Sequence, residues 1–203
     1  MDTNQGYKNR ALASLEGKWS NGIIATLIVF LITGGVSQII TMPMGSDTMV
    51  FGTSSIWSLL CLPLSWGGTV YFLNLIRKDD IKLERLFDGY KDCVRVFLTE
   101  FLAGLAVLIG FILLIVPGFI VMTGLAQAPY IIKDDKEIGA LDALKKSWEM
   151  MEGHKMEYFW LMLSFIGWFI LSVLTLCFGF LFLMPYYESA LAHFYEDLKA
   201  QQA

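Results

Sequence analysis

The sequence is poor in charge and carries no recognisable catalytic motif. Only 17% of its 203 residues are Asp, Glu, Lys or Arg, where soluble globular chains carry about 25%. There is no basic tract for nucleic acid and no acidic tail, and the net charge of -4 says little about partners. Two histidines, His154 and His193, lie on separate segments and cannot supply a multi-histidine metal site. Three cysteines, Cys61, Cys93 and Cys177, show neither CxxC nor metal-ligand spacing. Each reads as a free thiol, buried or interfacial. The HExxH, GxSxG, Walker and dinucleotide fingerprints are absent. Asp79-Asp80 and Asp134-Asp135 stand among lysines and read as solvated loop charge rather than metal ligands. The expectation is a protein that is not an enzyme and that needs no cofactor or metal.

What the sequence has in abundance is apolar residues, 56% of the chain, gathered into long runs. Four regions stand out: Ser20–Ile40, Ile56–Ile76, Phe97–Ile132 and Tyr158–Tyr187. The third holds 36 residues and one charge, Glu100. As one straight helix it would be roughly 54 Å long at about 1.5 Å per residue, while a bilayer core is about 30 Å thick and needs about 20 residues. Regions three and four are therefore expected to cross twice and regions one and two once. Pro63, Pro117, Gly118, Gly179 and Pro185 are the candidate hairpin breaks, because proline interrupts a helix and glycine tolerates a tight reversal. The first apolar run reads as a retained span rather than a cleaved leader.

Charge placement supports this count. With six spans, the segments 1–19, 77–96, 133–157 and the tail after about residue 196 fall on one side, and they hold all 15 Lys and Arg. The opposite loop, 41–55, holds only Asp47. Such segregation matches the positive-inside rule. The fold expected is all-α: a polytopic membrane protein of six transmembrane helices arranged as three hairpins, with short amphipathic helices on the cytoplasmic side. Both termini would be cytoplasmic. Residues 1–203 read as a single integral membrane domain.

Three segments resemble one another: "SLEGKW" (14–19), "LFDGYKD" (86–92) and "MMEGHKM" (150–156). Each returning span has a proline, then small and polar residues, then charge. Repeat units of about 11–80, 81–135 and 137–199 explain this. So does the common need of any hairpin for a Gly-Lys at its inner border and a breaker at its outer one. In 138–151, Ile138, Leu141, Leu144, Trp148 and Met151 recur at helical spacing. Gly153 is placed to stop that helix, and Trp148 and Lys155 suit the headgroup zone.

The returning spans carry most of the polar side chains, which must face a protein interior if they lie in lipid. Glu188, His193, Gln127 and Asn74 form a candidate intramembrane polar site. A charge at mid-membrane costs several kcal/mol, from about 2.5 upward, so Glu188 would pair, stay neutral or face water. Its alternatives are a proton or cation relay, a neutral acid hydrogen-bonded across a helix interface, or a wetted residue.

The C-terminal half, "MMEGHKMEYFWLMLSFIGWFILSVLTLCFGFLFLMPYYESALAHFYEDL", resembles the bacterial multi-pass membrane family catalogued as domain of unknown function nine-seven-five. Met151, Gly153, Lys155, Phe159, Leu161, Leu163, Ser164 to Trp168, Pro185-Tyr186, Phe194-Tyr195 and Leu198 carry the likeness. Pro117-Gly118, "APYII", "ALDALKKSWEMM" and the N-terminal "ALASLEGKW" also fit. The resemblance implies a bacterial cytoplasmic-membrane protein and brings no activity, substrate or catalytic residue with it. The function expected is a non-catalytic accessory or scaffold module that binds membrane lipids or another membrane protein, and not nucleic acid. The alternative is a small transporter or channel centred on Glu188. Oligomeric state is open.

Overall fold

The computed structural model describes residues 2–36, 47–79, 81–175 and 178–202. Helix is the regular structure found, and no strand occurs among the described residues. The order is α1 (Asn4–Leu15), α2 (Trp19–Phe30), α3 (Asp47–Leu60), α4 (Leu62–Arg77), a 3-10 segment (Leu83–Tyr90), α5 (Cys93–Leu113), α6 (Ile115–Leu125), α7 (Ala128–Asp134), α8 (Ala140–Met150), α9 (Lys155–Leu163), α10 (Ile166–Leu174) and α11 (Phe180–Gln202). Helix α2 continues into a π-turn, Leu31–Gly35.

Four described stretches are long and apolar enough to cross a membrane: Thr53–Arg77, Cys93–Leu113, Ile115–Asp134 and Lys155–Leu174. A fifth is reached only by joining α1 to α2, which meet at a 99° bend. Helix α11 does not qualify, because it carries Glu188, Glu196, Asp197 and Lys199. Of the 41–55 loop expected from the sequence, residues 47–55 are instead helical, within α3. Residues 41–46 lie outside the described part, as does Cys177.

Helices α5 and α6 pack along each other, and the chain turns between them at Leu114, the one extended residue there (φ -165°, ψ 156°). Proline prefers the first turn of a helix, where its missing N–H is not needed. Pro117 accordingly opens α6 instead of forming the turn. Gly118 is not a turn residue either. It faces Gly110 and the Phe111 ring, and a Cβ there would lie 2.5 Å from that ring. The proline-glycine pair therefore marks the reversal three residues late.

Two expected breaks are overturned. Pro63 lies in the first turn of α4, just after a one-residue interruption at Cys61. The chain carries on as one candidate span, Thr53–Arg77. Pro185 sits inside α11 without ending it. It gives up one backbone hydrogen bond and packs instead against Gly22 of α2. The break lies earlier, where Gly179 stands beside Ser172 and Thr175. From there α10 and α11 run back along each other. Phe169 meets Phe180 and Tyr187, and Phe165 meets Tyr186.

The core is made mainly by Thr53–Arg77, Ile115–Asp134 and α11. The apolar windows of Thr53–Arg77 and Ile115–Asp134 are 61% and 44% buried, against 17% and 22% for Cys93–Leu113 and Lys155–Leu174. Large side chains such as Phe30, Ile112, Leu113, Trp160 and Leu174 stand exposed around the outside. An exposed apolar surface of this extent has no place in water.

Helix α8 forms close to where its periodicity places it, but its buried face is rotated. Ala143, Leu144, Ser147 and Met150 are buried while Leu141 is 67% exposed. Gly153 has a left-handed φ of +80°, as does Gly17 at +72°. The third similar segment differs: Gly89 keeps an ordinary φ, and its missing Cβ lets the 3-10 segment lie against the Pro63 carbonyl.

Candidate functional site

Glu188 lines a cavity of about 280 Å³ between α2, α4 and α11. Small residues make the room: Gly68 lies beside Val29, and Ala25 belongs to the wall. Most of the lining is apolar, with Val29, Phe30, Phe72 and Met184. The polar groups are Thr26, Thr33, Ser65, Thr69 and the Glu188 carboxyl. Glu188 is half-buried, shares the cavity wall with Thr69 and forms no ion pair with a described residue. The hydroxyl of Thr33 is spent on the Val29 carbonyl at 2.7 Å. The hydroxyl of Thr26 has no partner.

The other candidates do not join it. Gln127 is fully buried at the junction of α6 and α7. Its backbone N–H donates to Ser147 Oγ at 3.1 Å, and Ser147 donates to the Gly124 carbonyl at 2.9 Å. Its side-chain Nε2 reaches Met151 Sδ at 3.5 Å, and its Oε1 is unpartnered. These bonds fasten α8 to a helix junction. Asn74 is buried within α4. His193 meets Ser14 Oγ at 2.8 Å, beside the Arg10–Asp197 ion pair, and so helps dock α1 on α11. None of the three lines the Glu188 cavity.

A polar cluster that sequence reasoning missed lies where the ends of α4 and α7 meet α11. Arg77, the last residue of α4, holds Asp134 of α7 by two bonds of 2.5 and 2.8 Å. Its Nε and Nη2 also donate to Glu196 of α11 at 2.8 and 2.5 Å. Lys199 and the Tyr195 hydroxyl donate to the same Asp134 carboxylate, at 2.5 and 2.9 Å. Asp134 is thus a network member and not a solvated loop charge. The signal was present as charge after each returning span: "RKDD", "KDD" and "YEDLK". Two further cations cap helix ends, where carbonyl dipoles favour them. Lys18 donates to Leu75 O, and Arg95 donates to Ile132 O.

At the expected interfacial group, Lys155 stands 3.2 Å from the centroid of the Trp148 ring. That ring covers Gly124, where a Cβ would lie 2.5 Å from it. The pair fastens the start of α9 to α6 and α8.

No curated protein and no solved structure matches the chain. The model of a family described as protein of unknown function (DUF975) matches residues 1–125 and 105–202. Together these matches run through nearly all of the sequence, and the chain belongs to the DUF975 family.

Proposed function

We propose that this protein is a non-catalytic scaffold or accessory module of the bacterial cytoplasmic membrane, which holds membrane lipids or another membrane protein. Its six apolar segments cross as three hairpins, α2 with α3–α4, α5 with α6–α7, and α9–α10 with α11. The termini and the basic connectors face the cytoplasm. Helix α2 joins the count because Ile24, Leu27, Phe30 and Leu31 are exposed along it, continuing the outer apolar belt. The upper part of α11 joins for the same reason, through Phe182.

One observation carries the scaffold reading. The polar groups that a through-path needs are dispersed. Asn74 and Gln127 are sealed in the core, His193 is engaged with Ser14, and none of the three lines the cavity that Glu188 faces. The ends of the returning helices are tied by the Arg77–Asp134–Glu196 network. A centre packed and tied in this way favours a rigid body that presents surfaces.

Native mass spectrometry after gentle extraction tests this. A co-purifying membrane protein or stoichiometric lipid supports the reading, and a bare chain that carries substrate across liposomes sinks it. Topology is tested with single cysteines at Asp47, Asp79 and Asp135 in a chain cleared of its own cysteines. An impermeant label should reach only the first from outside.

The second reading, a small transporter, has the Glu188 cavity in its favour. If it holds, Glu188→Gln abolishes pH-dependent flux in proteoliposomes. Unchanged flux removes it.

A further inference from the structure

A second crevice, of about 170 Å³, opens between the 3-10 segment, the start of α5 and the end of α7. Arg85, Lys91, Arg95, Lys133 and Lys136 line it together with Asp88 and Asp92. Five cations against two carboxylates leave an excess of three positive charges. Its volume is several times the roughly 30 Å³ share of one water molecule, room enough for a phosphate group.

The carboxylates hold the walls. Asp88 accepts from Arg85 at 3.1 Å and from Lys91 at 2.7 Å, which points both cations at one place. Arg95 is occupied with the carbonyls of Ile132, Asp135 and Lys136, and so fixes the α7 exit against α5. Lys133 and Lys136 stand at that exit with no ion-pair partner among the described residues. They are the charges that an incoming anion would neutralise.

Beside the crevice the surface turns apolar. Phe87 and Tyr90 are close to half exposed and Val94 is 81% exposed. Leu98, Phe101 and Leu105 continue this face along α5. A cationic pocket that runs directly into a lipid-facing helix is matched by a molecule with a phosphate at one end and acyl chains at the other. A free phosphate or nucleotide has no use for the apolar flank. Basic pockets on the cytoplasmic side of membrane helices are where anionic headgroups bind.

We propose that this crevice is a binding site for the phosphate of an anionic phospholipid, whose chains lie along α5. The proposal rests on the membrane reading above and narrows its lipid partner to one charge class and one place.

The test is native mass spectrometry of the full chain in mild non-ionic detergent, with dioleoyl phosphatidylglycerol or dioleoyl phosphatidylcholine added. The wild type is expected to retain the anionic lipid preferentially. The double variant Lys133→Gln/Lys136→Gln should lose roughly ten- to thirty-fold in retention, the contribution of two cations near a membrane surface. Lys145→Gln/Lys146→Gln, on α8 and outside the crevice, should not. Matching thermal unfolding of the variants guards against misfolding, and the milder Lys133→Gln alone serves if the double variant is unstable. Equal retention of both lipids, an unchanged preference in the crevice variants, or displacement by millimolar inorganic phosphate overturns the proposal. A chain that needs detergent for extraction yet shows no lipid preference removes this site and leaves the membrane reading standing.

Discussion

Arg77 and Asp134 meet as a two-bond ion pair, 2.5 Å and 2.8 Å, between the last residue of α4 and the last residue of α7. Their side chains are 21% and 16% exposed, so solvent screens the pair only partly. Removing one partner strands the other charge.

Arg77→Gln is therefore expected to cost about 2–3 kcal/mol, below the 3–5 kcal/mol of a fully buried pair. Asp134→Asn should cost a similar amount. The double variant should cost less than the two together by about 1 kcal/mol or more, because partners in one network are not additive. Thermal unfolding of the detergent-solubilised protein measures all three.

Asp88 gives a pH dependence. Burial alone would push its carboxyl up, but hydrogen bonds from Lys91 and Arg85 hold it below the usual carboxylate range. A carboxyl whose folded pKa is depressed contributes stability above its unfolded value, about 3.9, and loses it as pH falls through the lower folded value. The expected result is that wild type and Asp88→Asn differ in melting temperature at neutral pH and converge as pH falls below about 4. A difference that stays constant through that range would contradict the pairing.

Glycine substitutions separate backbone contact from open space. A Cβ at Gly67 would overlap the Leu86 carbonyl, and one at Gly89 would overlap the Pro63 carbonyl. Backbone cannot move aside as a side chain can. Gly67→Ala and Gly89→Ala should each destabilise by about 2–3 kcal/mol. Gly68→Ala meets only Val29 Cγ2 at 3.6 Å and should be neutral or gain up to about 1 kcal/mol from helix propensity. Melting temperatures of the three alanine variants check the order.

Lys78 ends α4 in the left-handed region, φ 58°, and is the one non-glycine residue described there. Its N–H bonds to Leu75 O, and the next N–H bonds to Asn74 O. Glycine takes this position without a Cβ penalty. Lys78→Gly is expected to stabilise by about 0.5–1 kcal/mol, offset in part by the entropy glycine adds to the unfolded chain. A lower melting temperature would mean that the lysine side chain contributes more than the strain costs.

The chain breaks were unequally legible from residue type. Pro117 located the turn between α5 and α6 to within three residues, because a proline that opens a helix lies just past a reversal. Pro185 misled, because a single proline costs a helix one hydrogen bond, and Gly22 offers its ring a close seat. In α8 the apolar positions were legible but their direction was not. Helical spacing defines a stripe, and the neighbours decide which part of it is covered. Trp148 went to Lys155 and Gly124, and Leu141 was left outside. Of the four polar residues singled out, Glu188 lines a cavity that the other three do not share. Residue type tells that a polar group needs a partner and does not tell which one it finds.

Local chemistry determined the helical class, the apolar belt and the left-handed glycines at 17 and 153. Each follows from residues within a turn or two of one another, and chain order fixes those distances. Tertiary structure alone decided that Arg77 meets Asp134, 57 residues away, and Glu196, 119 residues away. Which helix ends converge depends on crossing angles set by side-chain packing along whole helices, and no short stretch of sequence encodes them.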